Sequence, residues 1–209
     1  MTVQKNSISL LLLRNLKAVL ETPIDENRKS ILSNLILYIK SKKEKKQDIN
    51  LNFICTHNSR RSQFAQVWAQ VAAEYYGIKA SCYSGGVEVT ACNKRTVLSL
   101  LRSGFEIITP EENIYNPRHQ VSYSKNRDEI TLFSKLYNDS INPKTGFAAI
   151  MTCSDADHNC PVIIGAEKRI SLNYSDPKEF DNTEIEELKY DERSMQIASE
   201  LFFVFSQVD

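Results

Sequence analysis

The stretch that decides the fold is Leu51-Asn-Phe-Ile-Cys-Thr-His-Asn-Ser-Arg-Arg-Ser-Gln-Phe-Ala-Gln-Val-Trp68. It begins in a β-prone run, residues 50–54, and Cys55 follows that run directly. A loop then leads to Arg61, giving a Cys-x5-Arg pattern that Ser62 closes. Beyond Arg61 the apolar residues fit one face of a helix: Phe64, Ala65, Val67, Trp68, Val71 and Ala72. The stretch therefore predicts a strand, a cysteine-bearing loop and a helix.

A loop of this kind suits a tetrahedral oxyanion. Its backbone N–H groups point inward, and the helix N-terminus adds partial positive charge. The guanidinium of Arg61 can bind two oxygens of the anion. The same positive field favours the thiolate form of Cys55, which predicts a nucleophile beneath the bound oxyanion. Ser62 can donate a hydrogen bond to that thiolate, and Asn58 tolerates a left-handed backbone.

Three segments resemble one family. Cys55-Thr-His-Asn-Ser-Arg-Arg-Ser-Gln63 resembles the phosphate loop shared by low-molecular-weight tyrosine phosphatases and thioredoxin-coupled arsenate reductases, and its Arg-Ser-Gln ending is more similar to the reductases. Met151-Thr-Cys-Ser-Asp-Ala-Asp-His-Asn-Cys-Pro161 is similar to the reductase segment that carries two further redox cysteines. Tyr174-Ser-Asp-Pro177 resembles the phosphatase loop that supplies the general acid. The matches share one order along the chain and span roughly residues 50–209.

The resemblance and the pattern of elements imply the same α/β fold. Residues 147–152 and 167–172 read as further strands, and a long amphipathic segment, which Asp181 or Thr183 is expected to cap, reads as the last helix. Strands that alternate with helices predict a three-layer sandwich around a parallel sheet of about four strands. The cysteine loop would lie at the carboxyl end of the first strand, where such sheets bind ligands.

The chain divides into an extension and a catalytic domain. Residues 1–47 predict a helical hairpin, with Thr22-Pro23 between its two apolar stripes and Asp25 capping the second helix. We expect these helices to pack on the catalytic domain or to pair with a second copy as a homodimer. Residues 48–209 form the predicted catalytic domain, in which 106–146 read as a loop-rich insertion or a β-excursion.

Composition indicates a cytoplasmic protein without a cofactor. Lys plus Arg and Asp plus Glu number 26 each, so no global charge recruits nucleic acid or acidic lipid. No apolar run approaches the ~18 residues of a membrane span. The five cysteines are too few and too unevenly spaced for a secreted disulfide framework, and we expect no metal site.

The resemblance implies catalytic roles for Cys55, Arg61, Cys153, Cys160 and Asp176. Cys55 would attack arsenate, Cys153 would attack the Cys55 sulfur and release arsenite, and Cys160 would move the disulfide to 153–160 for reduction by a thioredoxin-like protein. A regular helix would separate the α-carbons of residues 153 and 160 by roughly 10 Å, whereas a disulfide needs about 4.4–6.8 Å. The segment between them must therefore be a loop or must rearrange. Structural burial of these cysteines is the alternative.

The remaining loop residues are expected to bind the oxyanion or to support the loop: Thr56, His57, Asn58, Ser59, Arg60, Ser62 and Ser84. Ser84 matches a family serine that braces the phosphate loop, which implies a hydrogen bond into residues 56–59; an ordinary turn serine is the alternative. His57 replaces the usual glycine, and Arg60 replaces a small residue and is expected to raise anion affinity. Gln66 stands where the reductases carry a glutamate that helps to bind potassium, which implies that this effect is missing.

Three hypotheses follow. The first is a thiol-coupled arsenate reductase, which Cys153 and Cys160 favour. The second is a phosphatase that hydrolyses phosphotyrosine or small aryl phosphates through a Cys55 phosphoenzyme, which Asp176 favours. The alternative role for Asp176 is that of an ordinary Asp-Pro turn residue. The third is a non-enzymatic oxyanion or redox sensor, for which only the additional N-terminal residues argue.

Overall fold

The computed structural model describes residues 8–110, 113–159 and 162–208. Its helices are α1 (Leu10–Glu21), α2 (Glu26–Glu44), α3 (Arg61–Tyr75), α4 (Lys94–Arg102), α5 (Ser154–Asn159) and α6 (Glu186–Ser206). Its strands are β1 (Ile49–Cys55), β2 (Ala80–Gly86), β3 (Glu106–Ile108), β4 (His119–Ser122), β5 (Ile130–Leu132), β6 (Phe147–Met151) and β7 (Ala166–Ser171). Within these ranges no helix is long and apolar enough to cross a lipid bilayer.

Four strands form the central sheet in the order β2-β1-β6-β7, and every neighbouring pair is parallel. This confirms the predicted α/β fold. Because successive side chains of a strand point to opposite faces, β1 contributes Leu51 and Phe53 to a large core on one face and Ile54 to a smaller core on the other. The smaller core also holds Cys55 and Cys153. The Cys-x5-Arg loop therefore follows a strand that is buried on both faces.

The N-terminal helices are present and pack on the large core. Leu12, Leu16 and Val19 of α1 are buried at a spacing of one helix turn, and α2 contributes its own stripe in the same way: Leu32, Leu35 and Ile39. Asp25 caps α2, since its carboxylate accepts a hydrogen bond from the Arg28 backbone N–H at 2.8 Å. These six residues are thus covered by the same chain, whereas Leu11, Leu20 and Ile31 of the same helices are exposed. Dimerisation through residues 1–47 stays a prediction.

Residues 106–146 contain a second, antiparallel sheet in the order β3-β4-β5. The segment that follows β5 runs back to the end of β2, beside the Cys-x5-Arg loop, where the Gly86 backbone N–H donates to the Lys135 carbonyl at 2.8 Å. Gly86 is required by close approach, because a Cβ there would lie 2.8 Å from the Thr56 carbonyl oxygen and 2.9 Å from the Asn58 nitrogen. The insertion therefore packs directly beside the loop.

The predicted cap of the last helix is wrong. α6 begins at Glu186 with Ile185 at its N-cap position, and no side chain caps it. Asp181 lies five residues earlier and interacts with arginines of other elements instead.

Candidate active site

The Cys-x5-Arg loop occupies the turn between β1 and α3. Cys55 is the last residue of β1 and Arg61 is the first residue of α3, so the loop sits at the carboxyl end of a central strand and at a helix N-terminus. Asn58, in the middle of the loop, adopts a left-handed φ of +46°. Such a turn lets successive backbone N–H groups face a common point, as an oxyanion requires.

A chain of hydrogen bonds leads from the insertion to the Cys55 sulfur. The Lys135 backbone N–H donates to Asn58 Oδ1 at 3.1 Å, which identifies the other amide atom as Nδ2. Asn58 Nδ2 then donates to Ser62 Oγ at 2.9 Å. Ser62 Oγ lies 3.0 Å from Cys55 Sγ, and either atom could be the donor of this hydrogen bond. The Ser62 hydroxyl is therefore in position to donate to the sulfur. We call this series the Asn58 chain.

The guanidinium of Arg61 is buried and held by the segment that follows β7. Its Nη1 donates to the Tyr174 carbonyl at 3.0 Å, and its Nη2 donates to Asp176 Oδ2 at 2.7 Å. Within the described ranges its Nε is buried without a hydrogen-bond partner. We expected two nitrogen atoms of the guanidinium to face an oxyanion. Instead Asp176 occupies Nη2, so the anion and this carboxylate compete for the same donor.

Asp176 combines two contacts that place it beside the loop. Besides Arg61, it accepts the Lys178 backbone N–H at 3.1 Å and begins a short 3-10 helix at Pro177. Its side chain is 26% exposed, so the carboxyl group can reach a molecule that enters from solvent. The structure therefore brings the predicted acid, arginine and cysteine into one site.

Arg60 is turned away from the loop. Its Nε donates to the Tyr190 hydroxyl at 2.7 Å, and its Nη2 donates to Asp181 Oδ2 at 3.5 Å. Tyr190 in turn donates to Asp181 Oδ1 at 2.7 Å. We expected Arg60 to raise anion affinity, but its charge is largely balanced by Asp181, with Asp176 at 4.0 Å from Nε. This interaction also explains why Asp181 does not cap α6.

The rim residues of the loop are fixed by the strand-to-helix segment after β2. The His57 side chain is exposed and contacts Glu88, with Nε2 at 3.1 Å from the carboxylate. The Ser59 hydroxyl donates to the Ala91 carbonyl at 2.7 Å. The Thr56 carbonyl accepts two backbone N–H groups, from Val87 and Glu88, each at 2.9 Å. These side chains and carbonyls hold the loop in shape, which leaves its N–H groups to bind an anion.

Ser84 supports the loop through intermediaries. Its hydroxyl lies 2.6 Å from Gln66 Oε1 and 3.4 Å from Gln63 Oε1, and makes no direct bond to residues 56–59. The expected direct contact is therefore wrong. Gln63 completes the connection, since its Nε2 donates to the Asn58 carbonyl at 2.8 Å and to the Phe133 carbonyl at 2.9 Å.

Cys153 lies at the start of α5 and next to the loop. It is fully buried, and its Sγ is 3.5 Å from Thr56 Oγ1 and 3.4 Å from the Ala156 backbone nitrogen. α5 is held against β7 through Asp157, whose carboxylate accepts from Ser171 at 2.9 Å and also binds Arg169. Cys160 lies outside the described residues.

The other two cysteines of the described ranges, Cys82 and Cys92, are buried and make no contact with Cys55 or Arg61 in the hydrogen bonds described above. No disulfide joins the four cysteines of the described ranges. Burial raises the pKa of Cys82 above its ordinary value and raises the pKa of Cys92 to about 12. Neutral thiols of this kind are poor nucleophiles.

Sequence reasoning missed three contributors to the site. Gln63 lies within the motif quoted above, in the first turn of the helix that follows the loop. Its closeness to the loop in the sequence could have indicated this contact. Tyr174 contributes a backbone carbonyl, which any residue type could provide. Lys135 lies in the insertion, 77 residues from Asn58, and no local pattern marks it.

Comparison with known proteins shows similarity to one family over part of the chain. The family model for low molecular weight phosphotyrosine protein phosphatase matches residues 50–109, the part of the chain that contains the Cys-x5-Arg loop. The fold of this chain is similar to that of the low-molecular-weight phosphatases. A solved member, a low molecular weight phosphotyrosine phosphatase from Vibrio cholerae O395, superimposes with a TM-score of 0.50 at 13% identity over 76% of this chain and 95% of that one.

Relatives by sequence are named for a second activity. Arsenate reductase 2 of Staphylococcus haemolyticus is 28% identical over 60% of this chain and 76% of its own length. The arsenate reductase of Bacillus licheniformis is 27% identical over 68% of this chain and 83% of its own length. This chain is an enzyme that is similar to proteins of both activities, and its site geometry has to distinguish the two.

Proposed function

We propose that this protein is an arsenate reductase that uses Cys55 as nucleophile and Cys153 and Cys160 as a thiol relay. The observation that supports it most is the position of Cys153, which shares a small apolar core with Cys55 and whose Sγ lies 3.5 Å from Thr56 Oγ1. A phosphatase needs no second thiol beside its phosphate loop. The similarity to arsenate reductases over 60–68% of the chain agrees with this proposal.

The first step is attack of the Cys55 thiolate on As(V). An S–As bond forms and an oxygen of arsenate leaves as water after protonation. The loop N–H groups and Arg61 stabilise the charge on the remaining oxygens. Ser62 Oγ, 3.0 Å from Cys55 Sγ, can donate a hydrogen bond to the attacking sulfur.

The second step is attack of a Cys153 thiolate on the Cys55 sulfur. An S–S bond forms, the S–As bond breaks, and its electron pair reduces As(V) to As(III), which leaves as arsenite. Cys160 then attacks the Cys153 sulfur, a disulfide 153–160 forms and Cys55 departs as a thiolate. Both exchanges require the attacking thiol to be ionised and the attacked sulfur to be accessible.

The relay requires α5 to unwind. Residues 154–159 are helical, and a helical spacing of seven residues separates α-carbons by roughly 10 Å, too far for a disulfide. Release of Asp157 from Arg169 and Ser171 would free this short helix. A thioredoxin-like dithiol in the cytoplasm then reduces the 153–160 disulfide.

Phosphomonoester hydrolysis is the second candidate, and the position of Asp176 favours it. Its carboxylate is 2.7 Å from Arg61 Nη2, at the edge of the loop. Once an anion displaces it from Arg61, Asp176 can protonate the leaving oxygen of an aryl phosphate and then activate water against the Cys55 phosphoenzyme. Both activities share the first nucleophilic attack.

A paired assay separates these functions. Cys153→Ser and Cys160→Ser should abolish arsenate turnover with a thioredoxin system and leave para-nitrophenyl phosphate hydrolysis intact. Cys82→Ser, which changes a buried cysteine outside the site, is the matched control. Parent-like arsenate reduction by both relay variants would disprove the relay. Cys55→Ser should abolish both activities, and a Cys55→Ser protein that keeps them would favour the sensor hypothesis.

A further inference from the structure

Lys135 is a buried lysine whose side chain has no role in the reaction steps described above. Its side chain is 2% exposed, and it is among the largest fully buried side chains of the described ranges. Its Nζ lies 3.4 Å from Ser84 Oγ and 4.8 Å from the centroid of the Phe133 ring. No carboxylate lies within 4.0 Å of this Nζ in the part of the chain that the structure describes. A buried ammonium without a counter-ion is costly, so its retention needs a reason.

The charge of Lys135 persists near neutral pH. Burial, with a smaller contribution from the charge of Arg118, lowers its pKa to about 8. Asp139 and Cys92 act in the opposite direction. Since that value is above neutrality, the protonated form predominates there. A positive charge therefore lies in a low-dielectric region where its field is only weakly screened.

Both the backbone and the side chain of Lys135 act on the phosphate loop. Its backbone N–H begins the Asn58 chain, which ends at the Cys55 sulfur. Its ammonium bonds Ser84, which lies within 3.4 Å of Gln63 Oε1, and Gln63 in turn donates to the Asn58 carbonyl. Two routes thus lead from one residue to the centre of the loop. In the second route the Ser84 hydroxyl also contacts Gln66 Oε1, at the shorter distance of 2.6 Å.

We propose that Lys135 is a positioning residue of the oxyanion site, a built-in cation behind the phosphate loop that holds Asn58 in place and stabilises negative charge on Cys55 and on the bound oxyanion. This inference deepens the proposed function, because it concerns the same loop. A lysine ammonium suits this place because, unlike a bound metal ion, it cannot dissociate. The packing of the insertion, which includes β5, fixes its position.

The proposal predicts opposite effects on stability and on binding. Replacement of a buried, unpaired ammonium by an apolar side chain of similar shape should leave stability unchanged or increase it. Loss of a charge-assisted interaction with the loop should weaken oxyanion binding by about tenfold. If Lys135 had only a structural role, its replacement would instead lower the stability of the protein and leave the oxyanion affinity of the folded molecules unchanged.

The experiment compares Lys135→Met with Lys144→Met. Lys144 lies in the same insertion but is exposed, and its Nζ only contacts the carbonyls of Asn138 and Asp139, so K144M is the matched control. Three quantities are measured for each protein: the Kd for inorganic phosphate by calorimetry, the Cys55 thiolate absorbance against pH relative to a Cys55→Ser background, and the urea midpoint of unfolding.

We expect K135M to bind phosphate about tenfold more weakly and to carry less Cys55 thiolate at neutral pH, with a urea midpoint no lower than that of the parent. A K135M protein that binds phosphate and ionises Cys55 like K144M overturns the proposal. If K135M fails to fold, Lys135→Gln, which keeps a donor for Ser84 without the charge, is measured instead, and parent-like binding there overturns it equally. None of these readouts requires arsenate turnover, so failure of the proposed reaction would be distinguishable.

Discussion

A buried ion pair between Arg28 of α2 and Glu200 of α6 joins the N-terminal helices to the rest of the chain. Arg28 Nε and Nη2 donate to the two carboxylate oxygens of Glu200, each at 2.8 Å. The Glu200 side chain is 2% exposed and the Arg28 side chain 14%. The guanidinium also lies 4.7 Å from the centroid of the Tyr174 ring. We predict that Arg28→Met destabilises the protein by leaving the Glu200 carboxylate buried and unpaired.

The magnitude follows from these contacts. Removal of one partner of a buried pair costs about 3–5 kcal/mol, and a partly exposed cation–π contact adds about 0.5–1 kcal/mol. Gln196 Nε2 still donates to Glu200 Oε1 at 3.0 Å in the variant, which moves the expected loss to the lower end, about 3 kcal/mol. For a chain of this size, that loss corresponds to a Tm lower by about 6–12 °C.

Urea unfolding of four proteins tests the reasoning. Arg28→Met, Glu200→Gln and the double variant form a cycle, and the double variant should be more stable than Arg28→Met because it no longer buries a lone charge. Lys29→Met removes an exposed pair with Glu26 and should cost at most about 1 kcal/mol. If Arg28→Met loses no more than Lys29→Met, the hairpin is not held as argued. Because the Tyr174 carbonyl accepts from Arg61, phosphate binding by the folded Arg28→Met protein should weaken as well.

Three further predictions concern other parts of the molecule. Burial lowers the pKa of His119 in the folded protein, so the unfolded chain takes up the proton first as the pH falls below about 6.5. The free energy of unfolding should therefore decrease toward lower pH. The variant His119→Gln should flatten the pH dependence of the urea midpoint. A Gly86→Ala variant should lose phosphate binding by more than tenfold, because the added Cβ meets the Thr56 carbonyl, and parent-like calorimetry would contradict the close approach seen here. Asp157→Ala should increase the alkylation rate of buried Cys153 by loosening α5, whereas an unchanged rate would show that Asp157 does not restrain this helix.

Local interactions made much of the molecule predictable from its sequence. The strand, loop and helix around Cys55 could be read directly because apolar periodicity and loop spacing act over a few residues. The cap at Asp25 followed from the same short-range chemistry. The cap at Asp181 failed for the complementary reason: a carboxylate that could cap a helix binds Arg60 and Arg95 when the fold brings them closer.

The sequence by itself determined which chemical groups are available: a thiol and a guanidinium joined by a loop that enters a helix. The tertiary structure decided how they are partnered. Arg61 meets Asp176 across 115 residues and Arg28 meets Glu200 across 172, and neither pairing has a local signature. The charge of Lys135 behind the loop belongs to the same category, because only the packing of the insertion against β2 buries that ammonium beside Ser84. Contacts of this range depend on how whole elements pack, which periodicity along the chain does not encode.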